Sequence, residues 1–245
     1  MKLYFAPMTC SLSPHIVLRE LGLPFELVRV NNQSKRTADG HDFREINPKG
    51  YVAALVLDNG EVLTEGPAIL QFLLDQVPGN TLAPPQGSWQ RTRLQEHLNF
   101  ISTEIHGGSA PLFNAQIPES VKTIFRHTLF KRLDYLNQQL SARHYLMDKF
   151  GVADAYLFAL TGWGQAPWLT SYYKADIHFD TLNNLRAWYE RVRERPAVQK
   201  ALRRSVKVRT ELGECRHFAV LGEFALDRAG NLLHRLDLSG RTDAR

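Results

Sequence analysis

Cys10 lies in YFAPMTCSLSPHIVLRE (residues 4–20), between a stretch that reads as a short β-strand and the start of an amphipathic helix. A cysteine so placed meets unpaired backbone N–H groups and the positive end of the helix dipole, which favour the reactive thiolate. The competing reading is a small apolar side chain packed under the loop. The motif is Cys10-Ser11-Leu12-Ser13, with no cysteine three residues on, so an intramolecular dithiol cycle is excluded and the thiol needs an external partner. Glu65, in LTEGPAI, ends a strand and opens a helix, so its carboxylate is expected to meet a ligand amine while Gly66 and the next N–H groups receive a ligand carboxylate. Such a pair describes an amino-acid end group; the plainer role for Glu65 is to complement the helix dipole. Both residues fall where strands give way to helices, the edge at which open α/β sheets bind ligands.

The elements that must carry these residues are legible. KLYFA and PFELVRV (24–30) read as strands, and SPHIVLREL between them reads as a helix with Ser13 as N-cap and Pro14 at its first position. YVAALVL (51–57), the turn DNG and EVLT (61–64) read as a hairpin, followed by a helix over 65–77. The first eighty residues therefore spell βαβ, then ββα. PGNTLAPPQGS (78–88) is dense in proline and glycine and reads as a linker. Beyond it WQRTRLQEHLNFISTEIH, ESVKTIFRHTLFKRLDYLNQQL, ADAYLFALTGW, TLNNLRAWYERVRER and AVQKALRRSVK all show helical periodicity. The expected division is 1–80, a linker over 81–88, a helical domain over 89–205, and an atypical tail over 206–245, mobile or folded as a hairpin.

Composition narrows the function. With 44% hydrophobic and 22% charged residues the 245-residue chain is an ordinary globular protein. No window approaches the roughly eighteen apolar residues of a membrane helix, and the apolar stretch before Pro7 is too short for a signal peptide, so a cytoplasmic protein is expected. Two cysteines and no Cys/His cluster of zinc spacing point to neither structural disulfides nor metals. The basic run RVRERPAVQKALRRSVKVR (191–209) lacks interleaved aromatics and reads as a solvated helix face rather than a nucleic-acid site.

APMTCSLSPHIVLRE, INPKGYVAALVLDNGEVLTEGPAILQFL, LNFISTEIHGG, PLF, FGVADAYLF and ERPAVQKAL together resemble the beta class of bacterial glutathione transferases, in register from residue 1 to about 204. The resemblance implies an α/β thioredoxin-like N-terminal domain, an all-α C-terminal domain with the second-substrate pocket, and a homodimer. It implies glutathione as co-substrate, conjugated to small hydrophobic electrophiles, with thiol-disulfide or peroxidase activity through Cys10 as a further possibility. Matched position by position, Cys10 and His106 are the catalytic candidates. Cys10, Ser11, Lys35, Val52, Glu65, Gly66 and His106 would line the glutathione site, with Asn99 and Glu104 reaching it from the neighbouring subunit. Apart from the resemblance, Lys35 reads as a solvated loop lysine and His106 as a core histidine. Trp163 and Trp168, in GWGQAPWL (162–169), are candidates for an apolar electrophile pocket or for the core.

The sequence also departs from that family. Ala53 replaces the family's cis-proline, and a cis bond before a non-proline residue costs about 3 kcal/mol, so Val52–Ala53 is expected to be trans. Rotating the Val52 main chain away would weaken glutathione binding about ten- to thirtyfold, leaving a non-catalytic binding module as the alternative function; Ala53→Pro should then tighten binding. Gly151 replaces a hydroxyl N-cap, a loss of about a few tenths of a kcal/mol that Thr should restore. Met8 is expected to crowd the approach to Cys10.

Overall fold

A computed structural model describes residues 1–163 and 175–211, with side chains to Ser205. β1 (Lys2–Phe5) and β2 (Glu26–Arg29) run parallel on either side of α1 (Leu12–Glu20) in sequence; β3 (Ala54–Val56), β4 (Val62–Thr64) and α2 (Gly66–Asp75) complete the first half. The sheet order is β2-β1-β3-β4, with β3 antiparallel to both β1 and β4. This is the βαβ-ββα thioredoxin-like arrangement read from the sequence. Register puts Leu3 beside Leu27 and Leu55, and Leu55 beside Leu63. The hairpin forms at Asp58-Asn59-Gly60, where Gly60 takes φ +86° and its N–H donates to the Leu57 carbonyl.

The second half is helical: α3 (Trp89–Phe100), α4 (Glu119–Gln139), α5 (Val152–Thr161), α6 (Asn183–Arg193) and α7 (Pro196–Glu211). Between α3 and α4 the chain makes a π-helical turn over Ile101–Gly107 and a 3-10 turn over Ala110–Phe113. One apolar core spans both halves. Ile16 and Val17 of α1, Leu70 and Leu73 of α2, and Leu157 and Phe158 of α5 are all at most 1% exposed within it. The Glu20 carboxylate adds a two-pronged ion pair with Arg195, at 2.7 and 2.9 Å, joining α1 to the turn before α7. The site at the head of α1 is thereby fixed against the helical half.

Several local expectations are corrected. Helix α1 starts at Leu12, with Ser11 at its N-cap position, because Ser13 Oγ donates to the Cys10 carbonyl inside the first turn. α7 runs to Glu211, past the expected domain end at 205, so the start of the expected tail is helical; the rest of that tail, with Cys215, lies outside the described residues. Gly151 does not behave as a weakened cap. A Cβ there would stand 2.7 Å from the Leu82 carbonyl oxygen, a backbone atom that also accepts the Val152 N–H at 3.3 Å. The glycine lets the linker lie against the head of α5. Gly151→Thr is therefore expected to destabilise the protein by about 1–3 kcal/mol, as overpacking does; a thermal melt showing an unchanged or higher Tm would contradict this.

Candidate functional site

The turn joining β1 to α1 delivers Cys10 to the wall of a cavity of about 530 Å³ at the junction of the two halves. Two backbone N–H groups, those of Cys10 and Ser11, act on the sulfur in favour of the thiolate, as the helix end predicts. Burial outweighs them and pushes the thiol up to about 11, with the Glu65 carboxylate adding to the rise. The expectation of a reactive resting thiolate is thus corrected: Cys10 is protonated and its Sγ–H donates to the Val52 carbonyl at 3.3 Å. Thiolate amounts to roughly one molecule in ten thousand at pH 7. Alkylation of Cys10 by iodoacetamide should accelerate about tenfold per pH unit from pH 7 to 10, since only the thiolate attacks. A rate already level by pH 8 would contradict this.

The Val52–Ala53 bond is cis, against the local expectation of trans. Both residues are only 8% exposed, held between the Cys10 turn and the sheet, so tertiary packing rather than dipeptide preference sets the backbone there. Val52 and Ala53 line the cavity.

Glu65 precedes α2 with φ +70°, and Gly66 follows it on the cavity wall. Met8 and Lys35 also have positive φ, 58° each. Of these, Met8 and Glu65 line the cavity. The Glu65 carboxylate is not empty-handed: the Lys49 ammonium pairs with it and also donates to Thr64 Oγ1 at 2.9 Å. Lys35 stands one residue behind the wall. Its Nζ donates to Asn32 Oδ1 at 3.2 Å and lies 5.6 Å from the Tyr51 ring centroid, and both Asn32 and Tyr51 border the cavity.

From the helical half, the π-turn brings His106 and Ser102 to the same cavity, α5 brings Tyr156, and the 3-10 turn brings Phe113. His106 Nδ1 is 2.7 Å from the Tyr156 hydroxyl. Burial pushes the imidazole below its ordinary value, partly opposed by Glu65, so His106 is neutral at pH 7. Trp163 stacks edge-on against both His106 and Phe113, at 5.3 and 5.1 Å between centroids. Met8, Phe113 and Trp163 give the cavity wall apolar surface, and Lys49, Thr64 and Glu65 give it polar groups.

Not every expected residue reaches the wall. Ser11 is fully buried, its hydroxyl bonded to both the N–H and the carbonyl of Ala6. Asn99 is exposed on α3, and Glu104 pairs with Arg132 at 2.7 Å; both lie away from the cavity of their own chain. Trp168 lies outside the described residues. Lys49, Ser102, Phe113 and Tyr156 line the cavity without having been singled out in the sequence. Of these only Tyr156 left a signal there: a tyrosine on a largely apolar helix must find a partner for its hydroxyl.

Among the described residues no group of histidine, cysteine or carboxylate side chains is arranged to hold a metal ion, and no helix is long and apolar enough to cross a membrane. Residues 7–76 match the glutathione S-transferase N-terminal domain, and residues 100–196 match the glutathione S-transferase C-terminal domain. Glutathione S-transferase GstA of Escherichia coli O157:H7 is 43% identical over 203 residues, covering 82% of this chain and 97% of that protein. The bacterial transferase BphK, solved as a ternary complex, superposes with a TM-score of 0.78 at 49% identity, over 84% of this chain and all of that one. The beta-class enzyme of Sphingomonas chungbukensis gives 0.77 at 37% identity, over 84% and 98% of the two chains. A sphingomonad glutathione S-transferase solved with glutathione gives 0.77 at 39% identity, over 84% and 99%. Two matching family domains over most of the chain, relatives at this identity and a cavity at the heads of α1 and α2 lead to one conclusion: the chain belongs to the glutathione S-transferase family, in its bacterial beta class.

Proposed function

We propose that this glutathione transferase joins reduced glutathione to small hydrophobic electrophiles within the cavity. The observation that carries the reading is that one cavity is lined both by Lys49, Thr64, Glu65 and Gly66, groups suited to an amino-acid end, and by Phe113 and Trp163, rings suited to an apolar electrophile, with Cys10 and His106 also on its wall. The γ-glutamyl ammonium displaces Lys49 from the Glu65 carboxylate, and the adjoining carboxylate meets the Gly66 N–H at the head of α2. The cysteinyl backbone runs along Val52, the glycine carboxylate approaches Lys35, and the sulfur lies by the N–H groups that open α1. There its anion is stabilised before attack on the electrophile held against Trp163 and Phe113. Each protomer of a cytoplasmic homodimer would hold one such site, with Asn99 and Glu104 serving the partner's glutathione.

The protonated state of Cys10 favours conjugation over thiol exchange as the main activity, since exchange requires its thiolate. Cys10→Ala should retain most of the conjugation of glutathione to chlorodinitrobenzene and lose any disulfide-reducing activity. Loss of conjugation by more than about a hundredfold would make Cys10 the working nucleophile instead and overturn the reading.

A further inference from the structure

His106 and Tyr156 come to the cavity on different elements, the π-turn and α5, and their geometry is closely held. The rings cross edge-on with centroids 5.9 Å apart, Trp163 backs the imidazole at 5.3 Å, and the His106 carbonyl accepts Ser109 Oγ at 2.9 Å. Tyr156 is 1% exposed, and its ring lies 3.6 Å from where a Cβ on Gly66 would stand. The 2.7 Å contact between the phenol and Nδ1 admits two arrangements. Either the phenol donates and the imidazole carries its proton on Nε2, or Nδ1–H donates and the phenol sends its proton elsewhere. Burial keeps the imidazole neutral, with one ring proton, and raises the phenol so that it keeps its own. A phenol O–H is the more acidic donor and a bare imidazole nitrogen the stronger acceptor, so at this 2.7 Å contact the phenol proton lies toward Nδ1.

We propose that Tyr156 is a positioning residue: its hydroxyl donates to His106 Nδ1, fixes the ring proton on Nε2, and so makes His106 an N–H donor to the anionic sulfur of glutathione in the cavity. This rests on the reading of the cavity as the glutathione site. In the other tautomer the Nε2 lone pair would face that anion and repel it. The arrangement is that of a buried partner setting which imidazole nitrogen faces the reacting atom. The charged or titratable groups that bear on the pair are Cys10 from the turn before α1 and Glu65 from the head of α2.

Nitrogen NMR of protein carrying isotope-labelled histidine tests this without any ligand, the His106 signal being the one lost in His106→Gln. The wild type should show Nε2 protonated and Nδ1 bare, and Tyr156→Phe, which keeps the ring against Gly66, should show a mixture of tautomers. A protonated Nδ1 in the wild type, or an unchanged tautomer in Tyr156→Phe, overturns the assignment. The ultraviolet absorbance of bound glutathione thiolate gives the second readout, with Cys10 nearly silent below pH 9 because its thiol is pushed up to about 11. Tyr156→Phe should leave about tenfold less thiolate at neutral pH while changing the glutathione Kd by less than about threefold. Equal thiolate in the two proteins overturns the role at sulfur. Failure of the wild type to bind glutathione overturns the reading of the cavity and the sulfur's part with it, whereas the tautomer of the ligand-free protein decides the Tyr156 contact by itself.

Discussion

Asp154→Ala is expected to cost about 3–5 kcal/mol of stability, enough to lower Tm by roughly 6–20 degrees in a protein of this size. Asp154 is 1% exposed at the third position of α5. Its Oδ1 accepts the Leu146 N–H at 3.0 Å and the Trp188 indole N–H at 2.8 Å, and its Oδ2 accepts the Gly151 N–H at 3.0 Å. Burial pushes the carboxyl up to about 6, while these donors pull it back down, so it is ionised at neutral pH. Alanine would leave three buried donors without an acceptor, and each such orphan costs about 1–3 kcal/mol. Asn would keep one acceptor but turn an N–H toward another N–H, so it should rescue only part of the loss. The effect reaches the active site because α5, which Asp154 anchors at its head, also carries Tyr156. A urea titration giving Asp154→Ala within about 1 kcal/mol of the wild type would contradict this account.

Glu65→Gln should weaken glutathione binding about thirtyfold, the loss of roughly 2 kcal/mol expected when one member of a charge pair is neutralised at a ligand contact. In the free protein this carboxylate is well exposed, at 68%, and its ion pair with Lys49 is correspondingly screened. Bound ligand covers it, and the pair then formed with the ligand ammonium is less screened. Wild-type affinity should therefore fall with added salt and the Glu65→Gln affinity should fall less. An unaltered Kd for Glu65→Gln, or equal salt dependence, would remove Glu65 from the site.

Much of this was legible from short stretches of sequence because the physics there is local. Asp58-Asn59-Gly60 between apolar runs could scarcely form anything but a hairpin, and the turn after KLYFA had to bring Cys10 to the head of a helix. What was illegible depends on partners distant in sequence. Ala53 gives no sign in sequence of the cis bond before it, nor Val52 of its contact with Cys10, more than forty positions earlier. Gly151 looks like a poor cap until Leu82 is seen against it. The helix end predicted an ionised Cys10, yet burial, which no neighbour in sequence reveals, wins. His106 read, apart from the resemblance, as a core histidine; the π-turn that aims it at the cavity, and the Tyr156 hydroxyl that meets it fifty residues later, required the fold. Lys49 sits in a polar loop like any solvated lysine, and only its approach to Glu65 gives it a part.

Calorimetric titration of the purified protein with reduced glutathione tests the central claim most directly. One site per subunit with a sub-millimolar Kd is predicted, since Cys10, Val52, Glu65 and Gly66 all line the same cavity. No detectable heat, together with no displacement of a glutathione conjugate, would contradict it.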